Sequence, residues 1–337
     1  MSSTRLSDLL LPTSFSDYTV ALTMEKSALI QSGVAVVNPD AVRTLATGPR
    51  AFTLRQYDDL DASDDKILND DPSDSLDEAD FDAIGTVEMR AILHERGKFY
   101  SEQDLAVELN GNDPIGSLAN RIAKVWARRH QAATISSLVG VIAAGEAAAA
   151  GTYSFVSGAT DAELNSNAII KAWNLIGDAS ADLVAIAMHS QCYHRLQQLN
   201  LISFIPNSRG EIVMPVYLGL SVIVDDAMPI DAVPTPDQYS LYLLGAGAIQ
   251  TAIGTGVGLL PDEIFRDPKS GNGAGRTDWY SRRRFTTHPF SFSYTGTTDG
   301  DKPTNTQLET ATNWSVAATE RKQIPLVELK AAATLAD

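Results

Sequence analysis

A chain of 337 residues, 44% hydrophobic and 20% charged, is long enough for about two folded units and is neither collagenous nor wholly disordered in composition. Its 26 basic and 42 acidic residues leave a net charge of −16. That balance excludes a general nucleic-acid coat, which needs a net basic surface, and a cationic membrane-binding face. A single cysteine, Cys192, excludes an intrachain disulfide and a multi-cysteine zinc site and fits a reducing compartment.

Residues 1–20 carry Arg5 as their one basic side chain and are broken by Asp8 and Pro12, so they do not read as a signal peptide. Residues 51–57 and 86–94 each alternate apolar and polar side chains and predict two strands. Between them, residues 58–82 hold twelve acidic side chains and one basic, Lys66, a local net of −11. Like charges at that density resist burial, so the two strands should carry an exposed acidic excursion, a projecting hairpin. The segment lacks the mid-loop glycine and closing glutamate of a calcium loop.

The next element begins at Asp113 and Pro114, an N-cap followed by the residue best tolerated in a first turn. Ile115, Leu118, Ile122, Val125, Ala132, Ile135, Val139 and Ile142 then keep three-four spacing, with Arg129 in the one polar slot. This predicts a helix to about Ala144, roughly 45 Å long at 1.5 Å per residue, and better suited to lying across a sheet than to a coiled coil. Beyond a small-residue hinge come a helix near 161–176, an apolar strand at 183–188, a helix capped by Ser190 and running through Leu199, strands near 211–213 and 218–224, and a core strand at 239–245: a compact α/β unit. The uncharged stretch 241–260 is interrupted by Gly245, Gly247, Gly254, Gly256 and Gly258 and reads as buried strand and turn rather than a membrane span. A long strand tract at 279–294 and a terminal strand at 322–330 complete the pattern.

Enzyme signatures are weak. Cys192 could act as a nucleophile with His189 or His194 and an orienting Asp178 or Asp182, yet no histidine shares its helix face by spacing, and a buried core cysteine fits as well. The glycine clusters at 245–247 and 271–275 lack the third glycine or the lysine of phosphate loops. No metal or cofactor is expected. What stands out instead is charge: the acidic segment with Asp58, Asp59, Asp61, Asp64, Asp65, Lys66, Asp70 and Asp71, against basic clusters at Arg121, Lys124, Arg128 and Arg129 on the long helix and Arg282, Arg283 and Arg284 on the strand tract. These are candidate intersubunit contacts, since complementary patches steer encounter and fix register.

The order of parts resembles the major capsid proteins of tailed bacteriophages, the Hong Kong ninety-seven type shell fold. The resemblance is carried by Met188, His189 and Ser190 opening a helix with Tyr193 and Leu196, by Tyr217 to Gly219 leading through Val222 to Asp226 into Met228 and Pro229, and by Tyr242 to Ile249. Arg284 and Phe285, His288 and Pro289, Asn313 and Trp314, and the tract from Lys322 to Leu329 carry it further. It implies an α+β fold: an N-terminal arm over 1–48, an extended loop over 49–100, a spine helix within a peripheral domain over 101–151, an axial domain over 152–275, long peripheral strands over 276–310, and a return to the axial domain over 311–337.

The resemblance implies self-assembly, in hexamers and pentamers, into an icosahedral virion shell around double-stranded DNA enclosed without sequence specificity, with a portal, a separate scaffolding protein and cement or decoration proteins as further partners and no membrane. Assembly would take place in the bacterial cytoplasm. Lys66 stands where some relatives weld subunits through an isopeptide bond, but no matching asparagine and glutamate signature is visible. The alternatives are an encapsulin-type compartment holding an enzyme cargo and a cysteine hydrolase using Cys192.

Overall fold

The computed structural model describes residues 32–47, 51–57, 70, 85–104, 114–148, 156–157, 163–206, 212–233, 236–254, 260–296, 302–318 and 320–334. In chain order the strands and helices are β1 (Ala35–Val37), α1 (Pro39–Thr47), β2 (Ala51–Tyr57), β3 (Thr86–Ile92), β4 (His94–Gln103) and the long α2 (Pro114–Ala148). There follow β5 (Val156–Ser157), α3 (Ser166–Trp173), β6 (Leu183–Met188), α4 (Ser190–Gln198), β7 (Ser203–Pro206), β8 (Ile212–Tyr217), β9 (Leu220–Val224), β10 (Ile230–Asp231) and β11 (Gln238–Gly245). The last group is β12 (Ile249–Gly254), β13 (Asp262–Asp267), β14 (Arg276–Pro289), β15 (Phe292–Tyr294), α5 (Asn305–Glu309), β16 (Trp314–Val316) and β17 (Leu326–Ala332).

Two sheets organise these elements into a mixed α+β architecture. The eight-stranded sheet runs β5-β17-β11-β6-β9-β8-β7, with β10 beside β11. Its centre is apolar on both faces because both are covered. Leu241 and Leu243 of β11 point to a core shared with Ile169 and Ala172 of α3 and Cys192 and Leu196 of α4. Their neighbours Tyr242 and Leu244 point to a second core with Leu138, Val141 and Ile142 of α2. Strand alternation sends successive side chains to opposite faces, so a strand buried on both sides reads as the unbroken apolar run seen at 241–245. The neighbouring β6 and β9 are parallel, joined by a long connection through α4, β7 and β8 of the kind that parallel pairing requires.

The five-stranded sheet runs β1-β12-β14-β13, with β4 on the other edge of β14. Helix α2 lies against β14 on one side and against α5 and β16 on the other. The approach on that second side is close: a Cβ on Gly140 would stand 1.9 Å from the Leu308 carbonyl oxygen, and the Trp314 indole N–H donates to the same oxygen at 2.7 Å.

The burial of α2 departs from its apolar stripe. Val125, Ala132 and Val139 are only half-buried, whereas His130, Thr134, Ser136 and Ser137 are buried. The helix packs against partners on more than one side, so these polar residues are inside and find partners there, with His130 Nδ1 left without one among the described residues. His130 Nε2 meets Thr251 Oγ1 at 2.9 Å, Thr134 Oγ1 meets Thr287 Oγ1 at 2.9 Å, and Ser136 donates to Glu309 Oε1 at 2.7 Å. Buried hydroxyls with partners cost little, and apolar periodicity alone does not register them. The helix continues to Ala148, past the expected Ala144.

Other boundaries move as well. Residues 34–45 of the expected arm lie against the body: β1 pairs in parallel with β12, and Val34, Ala41 and Leu45 are buried. The expected loop 49–100 ends at Leu93, because β4 joins β14 over ten residue pairs, from Arg276 with Gln103 to Phe285 with His94. Strands β12 and β13 belong to the five-stranded sheet, so the unit expected over 152–275 ends near Gly245. Within 311–337, β16 pairs with β15 and only β17 joins the eight-stranded sheet. The long tract 279–294 breaks after Pro289, where Ser291 adopts φ 69°, and α3 starts at Ser166, where the Asn165 side chain accepts from the Ala168 N–H at 2.9 Å. The cap of α4 is His189 rather than Ser190: its Nδ1 accepts from the Gln191 N–H at 3.1 Å.

Candidate assembly interface

Strands β2 and β3 pair antiparallel from Ala51 with Ile92 to Tyr57 with Thr86, which makes the stem of the expected hairpin. Its root is tied to the body. Met89 and Leu54 pack with Phe290 and Ala317, the Ser291 N–H donates to Met89 Sδ at 3.2 Å, and the Arg90 N–H donates to Ser293 Oγ at 3.1 Å. Burial then falls along the stem, from Met89 at 1% exposure to Tyr57 at 76%. Arg55 and Glu88 pair at 2.9 Å on its surface. A two-stranded ribbon is marginal alone, so the stem holds through its root while its far end leaves the chain's own core. Of the acidic segment, Asp70 is described, as an exposed residue; Asp58, Asp59, Asp61, Asp64, Asp65, Lys66 and Asp71 lie outside the described residues.

The basic candidates divide into two groups. Arg282, Arg283 and Arg284 alternate across β14, and each is engaged within its own chain. Arg283 faces α2: its Nη2 is 2.8 Å from Asp262 Oδ2, with the two side chains 4% and 3% exposed. The guanidinium lies 5.6 Å from the Trp126 ring centroid. Ser281 donates to the other Asp262 oxygen at 2.6 Å and accepts from the Trp126 indole N–H at 2.9 Å. Arg282 pairs with Glu263 at 2.9 Å beside the Tyr280 ring, and Arg284 and Lys302 share Glu95. Of the three arginines expected at neighbouring copies, Arg283 is thus buried within its own chain, while Arg282 and Arg284 stay partly exposed beside their own carboxylates. A legible signal existed: Asp262 and Glu263 precede, and the arginines follow, a turn rich in glycine at 271, 273 and 275, the layout of a hairpin with opposite charges across it.

Lys124, Arg128 and Arg129 are exposed on α2 and make no ion pair among the described residues; the side chain of Arg121 lies outside those described. Strand β4 adds two cations that the sequence reading passed over, Arg96 and Lys98. Together with Arg129 they line a cavity of about 210 Å³ floored by Val125, Trp126 and Phe285. Burial, and then the nearby Arg129 charge, lower the Arg96 pKa from its ordinary value.

The nucleophile constellation does not assemble. Cys192 is buried, and burial pushes its thiol up to about 12, which leaves almost no thiolate at neutral pH. His189 is taken up as the helix cap, His194 lies on the exposed side beside Gln197 at 3.2 Å, and Asp178 pairs with Lys322 at 2.7 Å.

A family model described as Gp13-like, major capsid protein 13-like, matches residues 112–327. The major capsid protein of Bacillus phage SPP1 is 30% identical over 335 residues, covering 98% of each chain. Among solved structures, the head of Helicobacter pylori bacteriophage KHP40 aligns with 89% of this chain and 86% of its own at 11% identity and a TM-score of 0.55. The capsid of Ralstonia phage GP4 aligns with 90% and 87% at 9% identity and a TM-score of 0.54. These two likenesses carry the fold, the phage shell architecture that the order of elements resembles. With a family match over most of its length and a relative aligned end to end, the chain belongs to the Gp13-like major capsid protein family.

Proposed function

We propose that this chain builds the head shell of a tailed phage by lending its acidic hairpin to neighbouring copies. As a major capsid protein it resides in the virion capsid and assembles with itself into a shell of capsomers. The observation that carries the finer reading is the β2–β3 stem, fixed at Met89 and exposed at Tyr57, from which a segment of net charge −11 departs. Such a segment resists burial against its own acidic chain and suits a basic surface on another copy.

In this reading residues 1–48 are the arm, laid against the body through β1 and α1, the β2–β3 hairpin is the extended loop, α2 with the five-stranded sheet the peripheral domain, and the eight-stranded sheet with α3 and α4 the axial domain. Copies would gather in hexamers and pentamers, with a portal and a separate scaffolding protein as assembly partners and decoration proteins as optional ones. Double-stranded DNA would be enclosed without sequence-specific contacts. The acidic balance serves that role, because a wall that repels phosphate does not hold incoming DNA. Family membership favours this shell over an encapsulin-type compartment.

The test replaces six aspartates of 58–71 with asparagine. Particle yield, or its dependence on salt, should change while the thermal unfolding of the unassembled chain stays put. Equal loss of monomer stability would place the segment in its own core and end the proposal.

A further inference from the structure

Resting on the hairpin reading above, we infer that the cavity lined by Arg96, Lys98 and Arg129 is the receptor for a carboxylate from the 58–82 segment of a second copy. The argument runs first by elimination among the cations. Arg282, Arg283 and Arg284 already spend their charge on Glu263, Asp262 and Glu95, and Arg266 spends its own on Asp104 at 2.6 Å. Lys98 and Arg129 make no ion pair among the described residues, and no carboxylate lines the cavity there.

The cavity is also built for one particular chemistry. Arg96 is half-buried and held: its Nη2 donates to the Pro303 carbonyl at 2.7 Å and to Asn305 Oδ1 at 3.1 Å. That grip orients the guanidinium and leaves Nε and Nη1 as two separate charged donors, each able to give one hydrogen bond to a carboxylate. Arg96, Lys98 and Arg129 line the cavity beside Trp126 and Phe285, with Arg96 half-buried and Lys98 and Arg129 open to an arriving group. The pKa of Arg96 is lowered first by burial and then by Arg129, and the opposite charge of an arriving anion would offset both effects. The volume of about 210 Å³ suits one or two side-chain carboxylates rather than a helix or strand. This chain's own concentrated anion is the 58–82 segment, with twelve acidic side chains. Its stem leads away from the core, which points to a carboxylate from another copy.

Four variants in infected cells complemented with full-length protein test this. Arg129→Glu should lower the yield of sedimenting particles at least tenfold, and Lys269→Glu, a charge change of equal size at an exposed residue outside the cavity, should not. In a Cys192→Ala background, Arg129→Cys combined with Asp70→Cys should give oxidised dimers between chains in assembled particles. Adding Asp70→Lys and Asp71→Lys to Arg129→Glu should restore yield, which a folding defect would not allow. If the aspartate-to-asparagine set alters assembly but neither Arg129→Glu nor the cysteine pair has an effect, the receptor lies elsewhere and the inference falls while the hairpin reading stands. If the asparagine set is itself silent, the hairpin reading falls with it. Normal particle yield with reduced retained DNA in Arg129→Glu would make a nucleic-acid phosphate the occupant and overturn the carboxylate assignment.

Discussion

Arg283 and Asp262 form an ion pair 2.8 Å apart in which neither side chain is more than 4% exposed. Removing one partner from such a pair leaves an uncompensated buried charge, at a cost on the order of 3–5 kcal/mol. Asp262→Ala should therefore lower the urea midpoint of the unassembled chain severely. Arg282→Ala, which breaks the partly exposed pair with Glu263, should cost about 1 kcal/mol or less. Equal effects of the two would mean that Asp262 is more accessible to water than its packing indicates.

Three histidines meet around β14 and α2, and their pKa values lie well below the ordinary 6.5. Burial, then Arg96, His130 and His288, bring His94 to about 3, while burial brings His130 and His288 to about 4. The backbone bonds that His94 and His288 make to Thr287 and Phe292 act in the opposite sense without reversing the shift. Because the unfolded chain binds protons at 6.5 and the folded chain resists them, this stabilisation is fully present above pH 6.5 and is lost as pH falls toward 3 to 4. The melting temperature should drop across that window. His130→Gln should flatten the slope by up to about one proton, whereas an unchanged slope would show that His130 does not titrate with unfolding.

Replacing Gly140 with alanine should destabilise the protein even though alanine is the better helix former. Propensity alone favours the change by about 1 kcal/mol, but the new Cβ would enter the Leu308 carbonyl and force α2 from α5, an overpacking cost of roughly 1–3 kcal/mol or more. Calorimetry of the unassembled chain decides the sign. A raised melting temperature would mean that the 308–314 segment yields without loss.

The Cys192 thiol, raised to about 12 by burial, should not react with a disulfide reagent at pH 8 within minutes in the native protein and should react fully in urea. Fast native modification would reopen the nucleophile reading.

The sequence by itself determined the parts that depend on neighbours along the chain. The alternation at 51–57 and 86–92, the acidic run between them, the helix from Pro114 and the doubly covered strand at 241–245 follow from local periodicity and like-charge repulsion, which any fold must respect. Tertiary structure decided everything that depends on which strand lies beside which. It moved 249–267 to the five-stranded sheet, drew Val34, Ala41 and Leu45 into the core, and turned polar faces of α2 inward at His130 and Thr134. It also set Asp262 and Glu263 across from the strand arginines, so charges that look available in one dimension are neutralised in three. The same pairing brought Arg96 and Lys98 of β4 to Arg129 of α2, a convergence of residues more than thirty positions apart in the chain that no local pattern encodes.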